Sequence, residues 1–151
     1  MFSIDQIIYL LNWDRSEEEQ MQGIQYARQI QCIKTFFRPQ GKNAGKAVWE
    51  NCAKVISERP DDELEPYLED MVFWIQDLNW PGADLILDRL KQFQDVKYLV
   101  TIIQDYSRAL HKAGDASWLY GLSELLDDQV IASSLSPDVV NILRSENEDD
   151  S

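Results

Sequence analysis

Histidine and cysteine are nearly missing from this chain: one histidine and two cysteines occur in 151 residues. Zinc sites draw most of their ligands from these two residue types at short fixed spacings, so no such site can be written here. A general base needs an orienting carboxylate and a nucleophile within reach. His111 has neither, because Asp105 lies off its helical face and Asp115 lies beyond the Gly114 break. We read His111 as a surface or helix-end residue. Cys32 and Cys52 lack metal-ligand spacing and read as reduced, structural thiols, since disulfides are rare in the cytosol. Long apolar runs are absent as well. No stretch approaches the roughly 18 uncharged apolar residues of a membrane span, so no membrane partner is expected. Met1-Phe2-Ser3-Ile4-Asp5 lacks the cationic start and cleavage site of a signal peptide. A cytoplasmic location is expected.

Glycine is sparse too, at six residues. The one glycine-rich stretch, Gly41-Lys42-Asn43-Ala44-Gly45-Lys46, fails as a phosphate loop. Its glycines stand one residue too close, Ala47 replaces the required Ser or Thr, and no strand precedes it. It reads as a flexible basic loop leading into a helix. The acidic clusters Asp61-Asp62-Glu63, Glu69-Asp70 and Asp127-Asp128 lack the alternating ligands and the glycine of a calcium loop. The Glu-x-x-His pairs of a di-iron bundle are missing. No catalytic, metal or cofactor-binding residue is therefore assigned, and an enzyme is the weakest reading: it would need an active site built of carboxylates alone.

Positive charge is the last scarcity. Fourteen basic residues face 27 acidic ones, a net charge of −13. The imbalance is uneven along the chain. Residues 1–33 carry two basic and five acidic groups, residues 34–59 six and two, and residues 60–151 six and twenty. The negative excess thus lies in the C-terminal two-thirds. Such a field repels nucleic acid and anionic lipid and steers cationic partners inward. The plainer reading is a solvated surface that keeps the protein soluble.

What the chain does have is apolar and aromatic material: 44% hydrophobic residues, with five Trp, six Tyr and five Phe. That suffices for one domain with a sizeable core. The apolar period is helical throughout. Ile4, Ile7, Ile8 and Leu11 line a short first helix; Ser16 caps a second, with Glu19 completing a capping box, that runs to about Ile33. Residues 46–59 form a third. Asp61 or Asp62 caps the next, lined by Leu64, Leu68, Met71, Ile75 and Leu78, with Pro66 in its first turn or so. Asn79-Trp80-Pro81-Gly82 turns the chain, and Pro81 suits the first position of the helix that follows. Helices over 96–112 and 116–128 and a short one from Ser136-Pro137 to Leu143 complete about eight, with no convincing strand. Residues 1–144 form the domain, and 145–151 read as an acidic disordered tail. Short connections make neighbours antiparallel: 3–11 with 16–33, 62–78 with 82–93, 96–112 with 116–128. Hairpins too small to bury their own faces must stack. The expected architecture is all-α, stacked antiparallel helical hairpins in a HEAT-like right-handed superhelix; an irregular helical bundle is the alternative.

A protein-binding face is the remaining candidate. On the helix over 62–78, Asp62, Glu65, Glu69, Phe73 and Gln76 fall opposite the apolar stripe, and Asp84 and Asp88 do likewise on the next helix. An aromatic amid carboxylates has the composition of a hot spot with steering charges. The simpler account packs Phe73 on a neighbouring hairpin and leaves the acids as ordinary helix surface.

Three consecutive segments form a pattern: Val48-Trp49-Glu50-Asn51-Cys52-Ala53-Lys54-Val55, Asp62-Glu63-Leu64-Glu65-Pro66-Tyr67-Leu68, and Trp74-Ile75-Gln76-Asp77-Leu78-Asn79-Trp80-Pro81-Gly82-Ala83. Together, over residues 46–93, they resemble a bacterial family of small α-helical, HEAT-like proteins, a domain of unknown function common in Firmicutes. The resemblance implies a protein partner. Such families stand beside polymorphic or contact-dependent toxins, where small acidic proteins serve as immunity partners. It implies binding and neutralisation of a cationic toxin domain, with no catalysis and no cofactor. The alternative is a helical-repeat adaptor or scaffold with a non-toxin partner, whose binding would depend little on salt.

Overall fold

A computed structural model describes residues 2–39 and 45–148, and among these the only regular structure is helical. The first two helices are α1 (Ile4–Leu10) and α2 (Glu17–Ala27). A 3₁₀ turn, Ile33–Phe36, follows, and a second one, Lys46–Val48, leads into α3 (Trp49–Ser57). Next come α4 (Asp61–Leu64), a 3₁₀ turn Glu65–Tyr67, and α5 (Leu68–Trp74). After the turn stand α6 (Ala83–Lys91), α7 (Lys97–Ala113) and α8 (Ala116–Ser123). A 3₁₀ turn Glu124–Asp127, α9 (Gln129–Ser134) and α10 (Pro137–Glu148) close the fold.

The sequential pairs α1–α2, α5–α6 and α7–α8 are all in contact. Non-sequential pairs matter as much. Helix α3 packs on α6, and α10 lies against both α8 and α7. One continuous core results, from Ile7 to Leu143, with Trp74, Phe36, Ile56, Met71, Leu90 and Ile103 fully buried. This all-α arrangement fits an irregular helical bundle.

Several boundaries differ from the sequence reading, each for a local physical reason. Helix α2 stops at Ala27, short of Ile33. Beyond it the backbone tightens to three-residue turns, Ile30 N–H bonding Ala27 O, and the Arg59 guanidinium fixes that corner by donating to Ala27 O at 3.0 Å and Ile30 O at 2.7 Å. Ser16 does cap α2 through the Glu19 N–H, but Glu19 answers the Ser16 hydroxyl, not its backbone; the reciprocal capping box is at Ser3 and Gln6 on α1. The helix expected over 62–78 is split at Pro66, whose ring lacks the N–H that would continue the α ladder, so the chain tightens there to 3₁₀. Neither Asp61 nor Asp62 caps α4; Pro60 holds that position without a side-chain cap. Asp61 is used elsewhere. It accepts from Arg89 at 2.5 Å and from the Gln94 N–H at 3.0 Å. Burial pushes its carboxyl up, and the Gln94 and Arg89 donors outweigh that and hold it below the usual range. Arg89 also donates to Arg59 O, so one buried guanidinium ties α6 to the α3–α4 corner. Helix α9 escaped the sequence reading because its six residues bury only Ile131. Helix α10 continues to Glu148 where a tail was expected from residue 145, and Asn147 reaches Ser123 O on α8.

The Trp-rich turn has its own geometry. Asp77 accepts from the Asn79 N–H and Trp80 N–H closes back on Asp77 O. Gly82, with φ 82°, is the cap of α6, so Pro81 lies outside the helix it was expected to start. A Cβ at Gly82 would lie 2.6 Å from Ala53 Cβ and 3.0 Å from Trp49 O, so only glycine lets the turn sit on α3. The first hairpin is tied to the same helix by Asn51, whose Nδ2 donates to Leu11 O at 2.7 Å and Gln20 Oε1 at 2.9 Å.

Candidate functional site

The residues singled out from the sequence do not all come together. Glu65 and Glu69 do. They stand one turn apart along the α4–α5 segment and line a groove with Pro66, Leu68, Tyr98 and Ile102, of about 410 Å³. Tyr98 and Ile102 are likewise one turn apart, on α7, which packs against α5. Asp62 is exposed at the start of the same segment. Asp84 and Asp88 are exposed on α6 and are not among the residues lining this groove. Gln76 is half-buried, and its side chain donates to Phe73 O at 2.9 Å.

Phe73 is half-buried inside a run of rings. Its centroid lies 5.7 Å from Trp118 in an edge-to-face contact and 6.4 Å from Trp80. Trp118 is in turn 5.3 Å from Tyr106, and its Nε1 donates to Val72 O at 3.1 Å. Trp80 stacks edge-on to Trp49 at 5.4 Å, and Trp49 to Trp74 at 6.2 Å. Six aromatics thus join α3, the turn, α5, α8 and α7. Phe73 packs on a neighbouring helix and also contributes to a partly exposed aromatic surface.

Asp70, Tyr98, Ile102, Tyr106 and Trp118 also belong to this region, although no sequence motif marks them for it. Ile102, Tyr106 and Trp118 stand at apolar helical spacing, yet all three are half-exposed. Tyr98 is 66% exposed. The available signal was the four-residue spacing of 98, 102 and 106, one shoulder of the α7 stripe rather than its centre.

Electrostatics single out the same place. Burial, then the neighbouring Glu69 carboxylate, push Asp70 above the usual carboxylate range, against the pull of Lys34. Burial, then Glu69 and Asp70, push the Tyr106 phenol up. No ion pair among the described residues neutralises Asp62, Glu65, Glu69, Asp84 or Asp88. A half-buried carboxylate whose burial and like-charged neighbour outweigh its cation destabilises the fold when ionised. The sign follows. A carboxyl whose folded pKa is raised is most favourable below its unfolded value and loses stability as pH rises through the folded one. Asp70→Asn is therefore expected to raise the melting temperature at pH 7, with the gain shrinking as pH falls toward 4. Thermal scans of both proteins across that range check it; a lower melting temperature for the variant at pH 7 would contradict the assignment.

Other chemistry is poorly served. Among the described residues, no group of three or more His, Cys, Asp or Glu could hold a metal, and no helix is long and apolar enough to cross a membrane. Burial pushes the Cys52 thiol up to about 12, despite Arg38 nearby, so it is no nucleophile. Cys32 is a free, exposed thiol. His111 is exposed in the last turn of α7. Of the loop read as basic, residues 41–44 lie outside the described residues, while Lys46 sits over the Trp49 ring at 5.8 Å.

The arrangement defines an all-helical module whose distinctive surface is an acid-lined aromatic groove. Residues 46–151 match the family described as Domain of unknown function (DUF5071), and the chain belongs to that family. The match starts at Lys46, where the resemblance in the sequence began, and runs on past residue 93 through α7 to α10. No curated protein and no solved structure matches the chain.

Proposed function

We propose that this protein is an immunity-type partner in a bacterial toxin system of the kind found in Firmicutes, working in the cytoplasm by binding and blocking a basic toxin domain. One observation carries the reading. Residues 1–45 hold five basic and five acidic groups, whereas the family-matched 46–151 hold nine and 22. The whole net charge of −13 thus belongs to the matched domain. Many of its carboxylates, Asp62, Glu65, Glu69, Asp84 and Asp88 included, are exposed and unpaired among the described residues. A one-signed field raises the encounter rate with a basic partner and disfavours nucleic acid. The helices act in this reading as a HEAT-like scaffold that holds the acidic surface rigid. No reaction and no cofactor are assigned.

The test is co-expression with the basic toxin domain encoded beside its gene. The expected outcome is a stable complex, relief of growth arrest, and affinity falling by about tenfold or more between 50 and 500 mM salt, as for steered charge pairs. Growth arrest that persists with the protein present at full level, or a complex indifferent to salt, would sink the proposal; the second result is what the adaptor reading expects.

A further inference from the structure

The groove between α5 and α7 combines two features that a merely solvated helix face does not need together. One wall carries Glu65 and Glu69, unpaired. The other carries Tyr98, two-thirds exposed, and Ile102. Beyond them the half-buried rings of Tyr106, Trp118 and Phe73 extend the aromatic surface, and Tyr106 lies within the field of Glu69 and Asp70. At about 410 Å³ the groove is at the small end of ligand sites, sized for one or two side chains rather than a helix.

The lining decides the chemistry of the occupant. Carboxylates on one wall disfavour phosphates, nucleic acid and acidic peptides. Aromatic and aliphatic surface on the other favours a ligand with an apolar stem. A flat cation satisfies both, because guanidinium stacks on an aromatic face and pairs with a carboxylate in its own plane. We infer that the α5–α7 groove reads arginine side chains of a basic protein partner, with the stem along Ile102 and the guanidinium stacked on Tyr98 and paired with Glu65 and Glu69. Lysine fits the charge but stacks less well, so arginine is preferred. The inference rests on the proposed role as a binder of basic proteins and says where the contact is made.

Calorimetric titration of the full chain with nona-arginine and nona-lysine peptides at low salt tests it. Nona-arginine is expected to bind tighter than nona-lysine. Glu65→Gln with Glu69→Gln is expected to weaken nona-arginine by about tenfold, and Tyr98→Ala by about threefold, in the range of an exposed cation–π contact. Asp84→Asn with Asp88→Asn removes the same charge from α6, and binding should stay within about twofold. All five side chains are exposed, so circular dichroism should show each variant folded. Equal weakening by both pairs would mean that the overall field binds the peptide and would overturn the inference, as would no binding of nona-arginine. The two proposals fail separately. Peptide binding localised to the groove with no toxin complex leaves the groove standing and removes the immunity role. A toxin complex untouched by the groove variants does the reverse.

Discussion

Gly121→Ala is expected to cost about 3 kcal/mol or more, lowering Tm by roughly 10 °C in a chain of this size. Gly121 is buried in the middle of α8, where the helix crosses the end of α5. A methyl group there would meet Ile75 O at 1.9 Å and Ile75 C at 3.1 Å. Both are backbone atoms, so no rotamer change relieves the overlap. The helices must separate, and the contacts beside Gly121 would be lost with them. Trp118 Nε1 donates to Val72 O at 3.1 Å and Ser117 Oγ to Gln76 O at 3.0 Å, both from α8 to the α5 segment. Urea denaturation measures the cost. Gly45→Ala is the control: a Cβ there has nothing within 4 Å, so stability should be unchanged. A Gly121→Ala protein as stable as the parent would show that α8 does not approach α5 as described. Because Trp118 is half of the Phe73–Trp118 contact, the same variant should also loosen the aromatic end of the groove.

Helices were legible in this sequence wherever the apolar period is uninterrupted. Leu99, Ile103 and Leu110 declare α7, and Ala83, Ile86, Leu87 and Leu90 declare α6; all are buried as that period requires. Helix ends were less legible, because distant residues set them. Nothing near Ala27 announces that Arg59, 32 positions on, donates to its carbonyl. Nothing near Asp61 announces that Arg89 claims it in place of a helix cap. The bundle-like pairing has the same origin. Short loops predict sequential hairpins, but α3 on α6 and α10 on α8 depend on which apolar faces are left over once the hairpins form.

The candidate site divides along the same line. Glu65 and Glu69 could be found because one helix face is a local property. Their counterparts, Tyr98 and Ile102, lie more than 30 residues on and join them only through the packing of α7 on α5. For Phe73 the sequence allowed packing on a neighbouring hairpin but could not name its neighbours, because Trp80 and Trp118 arrive from the turn and from α8. Asp70 carried no signal at all. Its adjacency to Glu69 is plain in the sequence, but only burial turns that adjacency into a carboxyl raised against the pull of Lys34. Asp84 and Asp88 resemble Glu65 and Glu69 by helical position, but the packing of α6 leaves them outside the groove lining.

Trp74→Ala is the second large effect, at about 3–5 kcal/mol for removal of a buried tryptophan. Trp74 is wholly inaccessible to solvent, its ring stands edge-on to Trp49 at 6.2 Å, and its Nε1 donates to Pro81 O at 3.0 Å. That hydrogen bond joins the end of α5 to the residue before Gly82, so the indole both fills the core and fixes the turn. Trp80 stands in the same turn segment as Trp74. The structure separates them, since Trp80 is half-exposed and its indole packs at the edge of the core against the rings of Trp49 and Phe73. Trp80→Ala is therefore expected to cost about 2 kcal/mol, from partial burial and lost aromatic pairing. Trp74→Phe should recover most of the packing and leave the Pro81 carbonyl without its donor, a residual loss of about 1–2 kcal/mol. Urea midpoints for the three variants, compared at equal m-value, give the order Trp74→Ala below both others. A Trp80→Ala cost equal to that of Trp74→Ala would mean that the outer half of the ring series supports the turn as much as the buried half.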